Sequence, residues 1–184
     1  MFLAQRSNYL YHSHYCEENI WHLCQRPELN PRFVIVIAAR GDCFPMLCQT
    51  AAEDADTPLL WDYHVILLAQ ADQQSAYIFD FDTTLGFGMP ITEYLQRSFL
   101  AEKRLIPAYI PWFRLVPADI YVSSLLSDRR HMKTAQGWMA PPPDWPALSD
   151  SKSNLHQFTN MADLSYGRVF SHSALLQAVT AGSL

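Results

Sequence analysis

Residues 59–82 read LLWDYHVILLAQADQQSAYIFDFD. Two β-branched and aromatic runs, residues 59–68 and 76–82, flank a polar segment at 71–74, and this pattern predicts an antiparallel hairpin with its turn there. A turn centred near residue 72 sets His64 opposite Asp80. Successive side chains alternate between faces, so Asp62, His64, Ile66, Ile78, Asp80 and Asp82 then share one side of the hairpin, with Val65, Leu67, Tyr77 and Phe79 on the other. An imidazole and a carboxylate at cross-strand distance are the parts of a general base: the carboxylate accepts from one ring nitrogen, fixes the tautomer and stabilises the imidazolium. The same two groups also make an ordinary structural ion pair, and Asp82 competes with Asp80 for the histidine.

Outward from the hairpin, residues 32–38 (RFVIVIA) and 43–48 (CFPMLC) read as strands around an Arg40-Gly41-Asp42 turn, which predicts a second hairpin. A polar loop at 49–58 follows. Beyond residue 83 the pattern predicts a loop at 85–90, a helix over 92–103 capped by Thr92, and a strand at 112–116. Residues 118–126 read as either helix or strand. The run APPPDWP at 140–146 is extended surface chain, because its prolines fix φ and remove donors; residues 153–161 and 171–179 read as helices. With no internal repeat and no long linker, residues 1–184 are expected to form a single unit of the α+β class, an antiparallel sheet flanked by helices.

Near the N-terminus, YCEENIW (residues 15–21) puts a cysteine directly before two carboxylates. Cys16, Ile20, Leu23 and Cys24 recur at helical spacing and Pro27 ends the pattern, so residues 16–26 read as a short amphipathic helix with Cys16 in or just before its first turn. A thiol is a useful nucleophile only as thiolate, and a helix N-terminus and a neighbouring imidazolium both lower its pKa. Packing the helix start against the face that bears His64 yields a Cys16, His64, Asp80 set. Glu17 and Glu18 suit the helix dipole but oppose a thiolate, which gives them another task, such as meeting a substrate ammonium. A cysteine in this position is also ordinary core packing. A third reading takes His12, His14 and Cys16 as metal ligands along one extended face, with Cys43 and Cys48 as further donors, but their spacing fits no standard zinc pattern, so no metal is expected.

Composition narrows the classes. The chain has 184 residues, 49% of them hydrophobic and 13% aromatic, which is ample for a core without disulfides; its four cysteines are therefore expected to be free thiols. Thirteen Lys and Arg against 18 Asp and Glu leave a net charge of -5, which gives no general attraction to nucleic acid or to an anionic membrane. No run approaches the roughly 20 apolar residues that span a bilayer, and MFLAQRSNYLYHSHY is too polar for a secretory leader, so a cytoplasmic monomer is expected. A glycine-rich phosphate loop, a Walker motif and a G-x-S-x-G elbow are all missing, which removes the common nucleotide and serine-hydrolase readings and leaves no cofactor expected.

Six blocks carry more than spacing does. YCEENIW (15–21), WDYHVILL (61–68), YIFDFDTTL (77–85), SDRRHMK (127–133), the PPP segment (141–143) and DSKSNLHQF (150–158) together resemble the protein N-terminal glutamine amidohydrolase family, collinearly from about residue 11 to residue 179. The resemblance implies a papain- or transglutaminase-like α+β fold, and conversion of N-terminal glutamine to glutamate with release of ammonia, a step that prepares proteins for the N-degron pathway. It also implies Cys16 in YCEEN as nucleophile, His64 in WDYHV as its base, and Asp80, the first acid of FDFD, as the carboxylate. The family block commonly reads YDLD at FDFD and SDRSHM at SDRRHM. Mechanistically, the resemblance implies a thioester on Cys16, with His64 protonating the departing ammonia.

Selecting a chain terminus requires a carboxylate for the free α-ammonium. Glu17, Asp62 and Asp128 are the candidates, with Trp61, Tyr63 and Trp21 as candidate walls of the pocket. The expected partners are proteins or peptides that begin with glutamine. The same three residues also suit another acyl transfer, or a module that only binds N-terminal residues.

Overall fold

The computed structural model describes residues 4–70 and 75–184. The turn expected at 71–74 lies outside the described residues. In chain order the elements are helix α1 (Cys16–Leu23), strands β1 (Pro31–Ala39), β2 (Phe44–Met46), β3 (Leu59–Trp61), β4 (Tyr63–Gln70), β5 (Ala76–Phe79) and β6 (Met89–Pro90), and helix α2 (Ile91–Ser98). There follow β7 (Pro111–Pro117), α3 (Ala118–Ser124), β8 (Lys133–Thr134), β9 (Gly137–Trp138), α4 (Leu155–Thr159), β10 (Arg168–Ser171) and α5 (His172–Thr180). Six strands form one antiparallel sheet in the order β10-β7-β1-β4-β5-β6. The mixed α+β class expected from the sequence is the one observed.

Strand β1 explains the layering. Its continuous apolar run is buried on both faces: Val34, Val36 and Ala38 point to one core, Ile35, Ile37 and Ala39 to the other. The first core is closed by α1 (Ile20, Leu23), α3 (Tyr121) and α4 (Leu155, Phe158), the second by α2 (Tyr94, Leu95) and α5 (Leu175). A strand with both faces covered does not alternate polar with apolar, which is why residues 32–38 read as an unbroken run. Among the described residues no helix is long and apolar enough to cross a membrane.

Three expectations are corrected. The first concerns the hairpin of residues 32–38 with 43–48. Both edges of β1 are taken, by β4 and by β7, and β2 pairs instead with β3, Phe44 opposite Trp61. Gly41 donates its N–H to Ala108 O at 3.0 Å, so close that a side chain there would strike that carbonyl, and this contact carries the chain away from β1. The second is the single strand at 59–68, which breaks at Asp62 where the carboxylate caps the Tyr63 N–H at 2.8 Å. The third is the helix over 92–103. It starts at Ile91 directly after Pro90, makes no side-chain cap through Thr92, and ends at Ser98 because Phe99 turns extended into the core.

The β4–β5 pairing is shifted by two residues from the expected register: Leu67 faces Phe79, not Tyr77. A two-residue shift keeps every side chain on its expected face. Accordingly Val65, Leu67 and Phe79 share one core and Ile66 and Ile78 the other.

One buried side chain gathers residues 158–166. Arg114 on β7 is fully buried and donates to the carbonyls of Phe158, Asn160, Asp163 and Tyr166 at 2.5–2.8 Å. Arg114→Met keeps the stem but orphans those carbonyls, so urea unfolding should show a loss of about 3 kcal/mol or more, since each charged hydrogen bond contributes about 1.5–3 kcal/mol.

Candidate active site

Asp80 lies just past the end of β5, where the ladder has stopped, and is fully buried. Its Oδ1 accepts from His64 Nε2 at 2.9 Å and from the Asp82 backbone N–H at 2.9 Å; its Oδ2 accepts from the Tyr94 hydroxyl at 2.7 Å. Burial pushes the Asp80 carboxyl up, but His64, the Asp82 N–H and Tyr94 together outweigh it and hold Asp80 below its ordinary value. For His64 burial pulls down, and Asp80, by charge and by hydrogen bond, more than restores it, so the imidazole sits above its ordinary value. The other ring nitrogen, Nδ1, is buried and has no hydrogen-bond partner among the described residues. The Trp61 ring lies against the imidazole, centroids 4.4 Å apart and 31° from parallel.

Cys16 opens α1. Tyr15 O accepts from the N–H groups of Glu18 and Asn19, leaving the Cys16 N–H at the helix start without a helical partner. The helix packs its core face, Cys16, Ile20 and Leu23, with Val65, Leu67 and Ala69 rather than with the Ile66 and Leu68 set that shares the His64 side of β4. That differs from the expected packing, and no hydrogen bond joins the thiol to His64 among the described residues. The sulfur meets the Val65 backbone instead, one residue along from His64. Its titration also runs against expectation. Burial pushes the thiol well above its usual range, Glu17 and Asp82 push further, and the Val65 hydrogen bond opposes them only in part. A helix start does not offset burial among this many carboxylates.

The two glutamates after Cys16 are both fully buried and serve different networks. Glu17 Oε2 accepts from the Tyr63 hydroxyl at 3.0 Å and stands 4.0 Å from Cys16 Sγ, while Oε1 lies 3.2 Å from His131 Nε2. Glu18 takes the Arg129 guanidinium on both oxygens at 2.8 Å and the Trp145 indole N–H at 2.7 Å. Arg129 also donates to the carbonyls of Pro143 and Trp145, which ties the proline segment to the helix start.

The other expected residues divide. Tyr63 and Trp61 stand at the site. Asp62 is exposed and caps Tyr63 N–H, yet its charge reaches Cys16 and His131. Asp128 is engaged by Arg130 on its own turn, and Trp21 donates to Val122 O at 3.0 Å, packed against the first core. His12 bonds Pro141 O and His14 is exposed, so the N-terminal histidines gather no metal site. Among the described residues the group with ligand atoms close enough to hold a metal ion is His64, Asp80 and Asp82, all within 4.8 Å, and Asp80 there already accepts from three donors.

Residues 11–179 match the family model described as N-terminal glutamine amidase. The chain belongs to the N-terminal glutamine amidase family. It is 36% identical over 172 residues to "Protein N-terminal glutamine amidohydrolase" of Bos taurus, covering 88% of this chain and 83% of that one. The protein of the same name from Danio rerio is 38% identical over 174 residues, covering 89% and 86% respectively. That from Drosophila ananassae is 36% identical over 165 residues, covering 86% and 80%.

For this amidase-family chain, sequence reasoning missed Tyr94, Arg129, His131 and Tyr11, the last of which donates to Asp82 at 2.6 Å. Arg129 and His131 lay inside the quoted SDRRHMK block and carried a signal; Tyr94 and Tyr11 sit in segments with no pattern linking them to the acids. The His64–Asp80 pair has a directional test. Asp80→Asn removes the main charge that lifts the imidazole and leaves burial, the largest influence, opposed by Asp82, so the His64 pKa read by NMR should fall below its ordinary 6.5.

Proposed function

We propose that this chain hydrolyses the side-chain amide of an N-terminal glutamine on proteins or peptides, giving glutamate and ammonia, as a single papain- or transglutaminase-like amidohydrolase unit. The supporting observation is the state of His64: Nε2 fixed on a carboxylate, Nδ1 buried and unpartnered, and a thiol at the backbone of the next residue. A thiol–imidazole nucleophile needs the sulfur within hydrogen-bond reach of that open nitrogen, so in the working complex Cys16 Sγ comes up to His64 Nδ1.

In this reading Cys16 Sγ attacks the amide carbon of the glutamine side chain. The thiol is held protonated by burial, so its proton passes to His64 Nδ1 as the C–S bond forms and the carbonyl electrons move onto oxygen. The Cys16 N–H, free at the helix start, is a donor for that oxyanion. Collapse breaks the C–N bond, and His64 returns the proton to the leaving nitrogen as ammonia. Water then attacks the thioester with His64 taking its proton, the C–S bond breaks, and the proton goes back to sulfur. Asp80, held by Tyr94 and the Asp82 N–H, keeps the imidazole in one tautomer throughout.

Selection of a terminus follows from access and charge. Cys16 is 6% exposed, so a side chain must enter a narrow opening, and a chain end does this with one flanking peptide instead of two. Of the three expected carboxylates, Glu17 is the one adjacent to the sulfur, whereas Asp62 faces solvent and Asp128 is engaged by Arg130. Glu17 is therefore the acceptor for the α-ammonium.

Ammonia release and the roughly one-dalton mass gain test this with four substrates: a peptide beginning in Gln, its N-acetyl form, one beginning in Asn, and free glutamine. The free-amine Gln peptide should turn over; acetylation should lower kcat/KM by at least about 100-fold, and Cys16→Ala should lower kcat by about 1000-fold or more. Turnover retained in Cys16→Ala would remove the thiol mechanism.

A further inference from the structure

Beside the thiol lies a second set of groups that the chemistry above uses only in part. Glu17 follows Cys16 in sequence, Tyr63 precedes His64, and both reach one imidazole, His131, on the 3-10 turn Arg130–Met132. The Tyr63 hydroxyl is 3.0 Å from Glu17 Oε2 and 3.3 Å from His131 Nε2. Glu17 Oε1 is buried with no aligned hydrogen bond among the described residues, although His131 Nε2 stands 3.2 Å away; His131 Nδ1 is likewise buried and unpartnered. A buried acceptor without an aligned donor is unfavourable, and a cationic ligand relieves it.

Of the three groups, His131 is the one able to give way. Tyr63 belongs to β4, and Glu17 sits in the first turn of α1 with its carbonyl bonded to the Tyr121 hydroxyl at 3.2 Å. The His131 side chain is 22% exposed, so its ring can turn toward solvent while Arg129 holds the backbone of its turn in place.

We propose that His131 is a specificity-determining residue: it occupies the free oxygen of Glu17 in the empty enzyme and yields it to the α-ammonium of the substrate. This rests on the amidase reading above. An ammonium brings three N–H donors, and Glu17 Oε1, the Tyr63 hydroxyl oxygen and a neutral imidazole nitrogen supply three acceptors. The α-nitrogen of glutamine is four bonds from its amide carbon, roughly 4–5 Å, which suits a carboxylate 4.0 Å from the sulfur. An acetylated or internal residue offers one uncharged N–H and does not displace the histidine.

The exchange depends on the proton of His131. Facing it are Glu17 and Glu18 from α1, with Glu18 already paired to Arg129, and Asp62 and Tyr63 from the β3–β4 junction; on its own segment Arg130 is turned to Asp128 and Lys133 lies over the Trp138 ring. Burial pulls the imidazole down, and Glu17 first, then Asp62 and Glu18, raise it above its ordinary value. Protonated, His131 holds Glu17 against the substrate; neutral, it releases it. Substrate binding therefore strengthens as pH rises through the His131 pKa.

Ammonia release from a Gln-initiated peptide, followed from about pH 5.5 to about 7.5 in wild type, His131→Gln and His131→Lys, reads the exchange. Wild-type KM should rise by up to about tenfold per pH unit on the acid side. His131→Gln should flatten the KM profile while kcat keeps the acid limb of His64, and His131→Lys, a permanent cation, should raise KM about tenfold or more throughout. Superimposable KM profiles in wild type and His131→Gln overturn the exchange and leave the amidase reading standing. Absence of release from wild type overturns both. A check without a His131 variant uses Cys16→Ala saturated with the same peptide: the His131 pKa read by NMR should fall by about one unit, and an unchanged titration overturns the proposal.

Discussion

The geometry around the thiol depends on one buried ion pair. Glu18 has no exposed surface, and Arg129 reaches it from more than a hundred residues along the chain. Taking two charges out of water costs several kcal/mol per ion, so the pair contributes little net stability unless every donor and acceptor is met. Here the guanidinium is divided between the carboxylate and two carbonyls, and the carboxylate gains the Trp145 indole as well. Its effect is positional. One interaction locks the first turn of α1, the turn that carries His131, and the proline segment into a single arrangement, and thereby sets Cys16 and Glu17 relative to everything that approaches them.

The environment of the sulfur is acidic, which is an unusual setting for a thiol nucleophile. Burial and the nearby carboxylates both disfavour the thiolate. In the proposed chemistry a cationic substrate resolves this opposition, because an ammonium seated on Glu17 cancels the nearest negative charge at the moment the sulfur must give up its proton. The site would then be least reactive when empty, and stray electrophiles without a positive charge would meet a protonated thiol.

Much of this was legible along the chain, and the reasons for the rest are physical. Strand period fixes which face a residue takes, so the division of Val65, Leu67 and Phe79 from Ile66 and Ile78 survived a two-residue error in register. The helix start at Cys16 is local and was readable, whereas the helix ends at Leu23, three residues short of the expected 16–26. Partner choice was not. The run at 32–38 states that it is a strand buried on both faces, but nothing in it says that β4 and β7 flank it in place of the nearer residues 44–46. The same limit hid Tyr94. A tyrosine on an amphipathic helix reads as core, and only the packing of α2 against β5 turns its hydroxyl toward Asp80. The elevated thiol was missed for a related reason: dipole arguments are local, whereas desolvation sums over every neighbour.

The absence of a sequence neighbour beside β1 bears on how the chain reaches this state. Its two flanking strands begin at residues 63 and 111, so the central ladder closes only through long loops, and loop closure is the slow part of folding for non-local sheets. During synthesis an apolar strand with two open edges emerges from the ribosome well before β7 exists to cover one of them. That exposure is the condition under which strands pair with the wrong chain. Arg114, gathering four carbonyls from residues 158–166, ties a late-made stretch of the chain onto the strand that closes the second edge of β1.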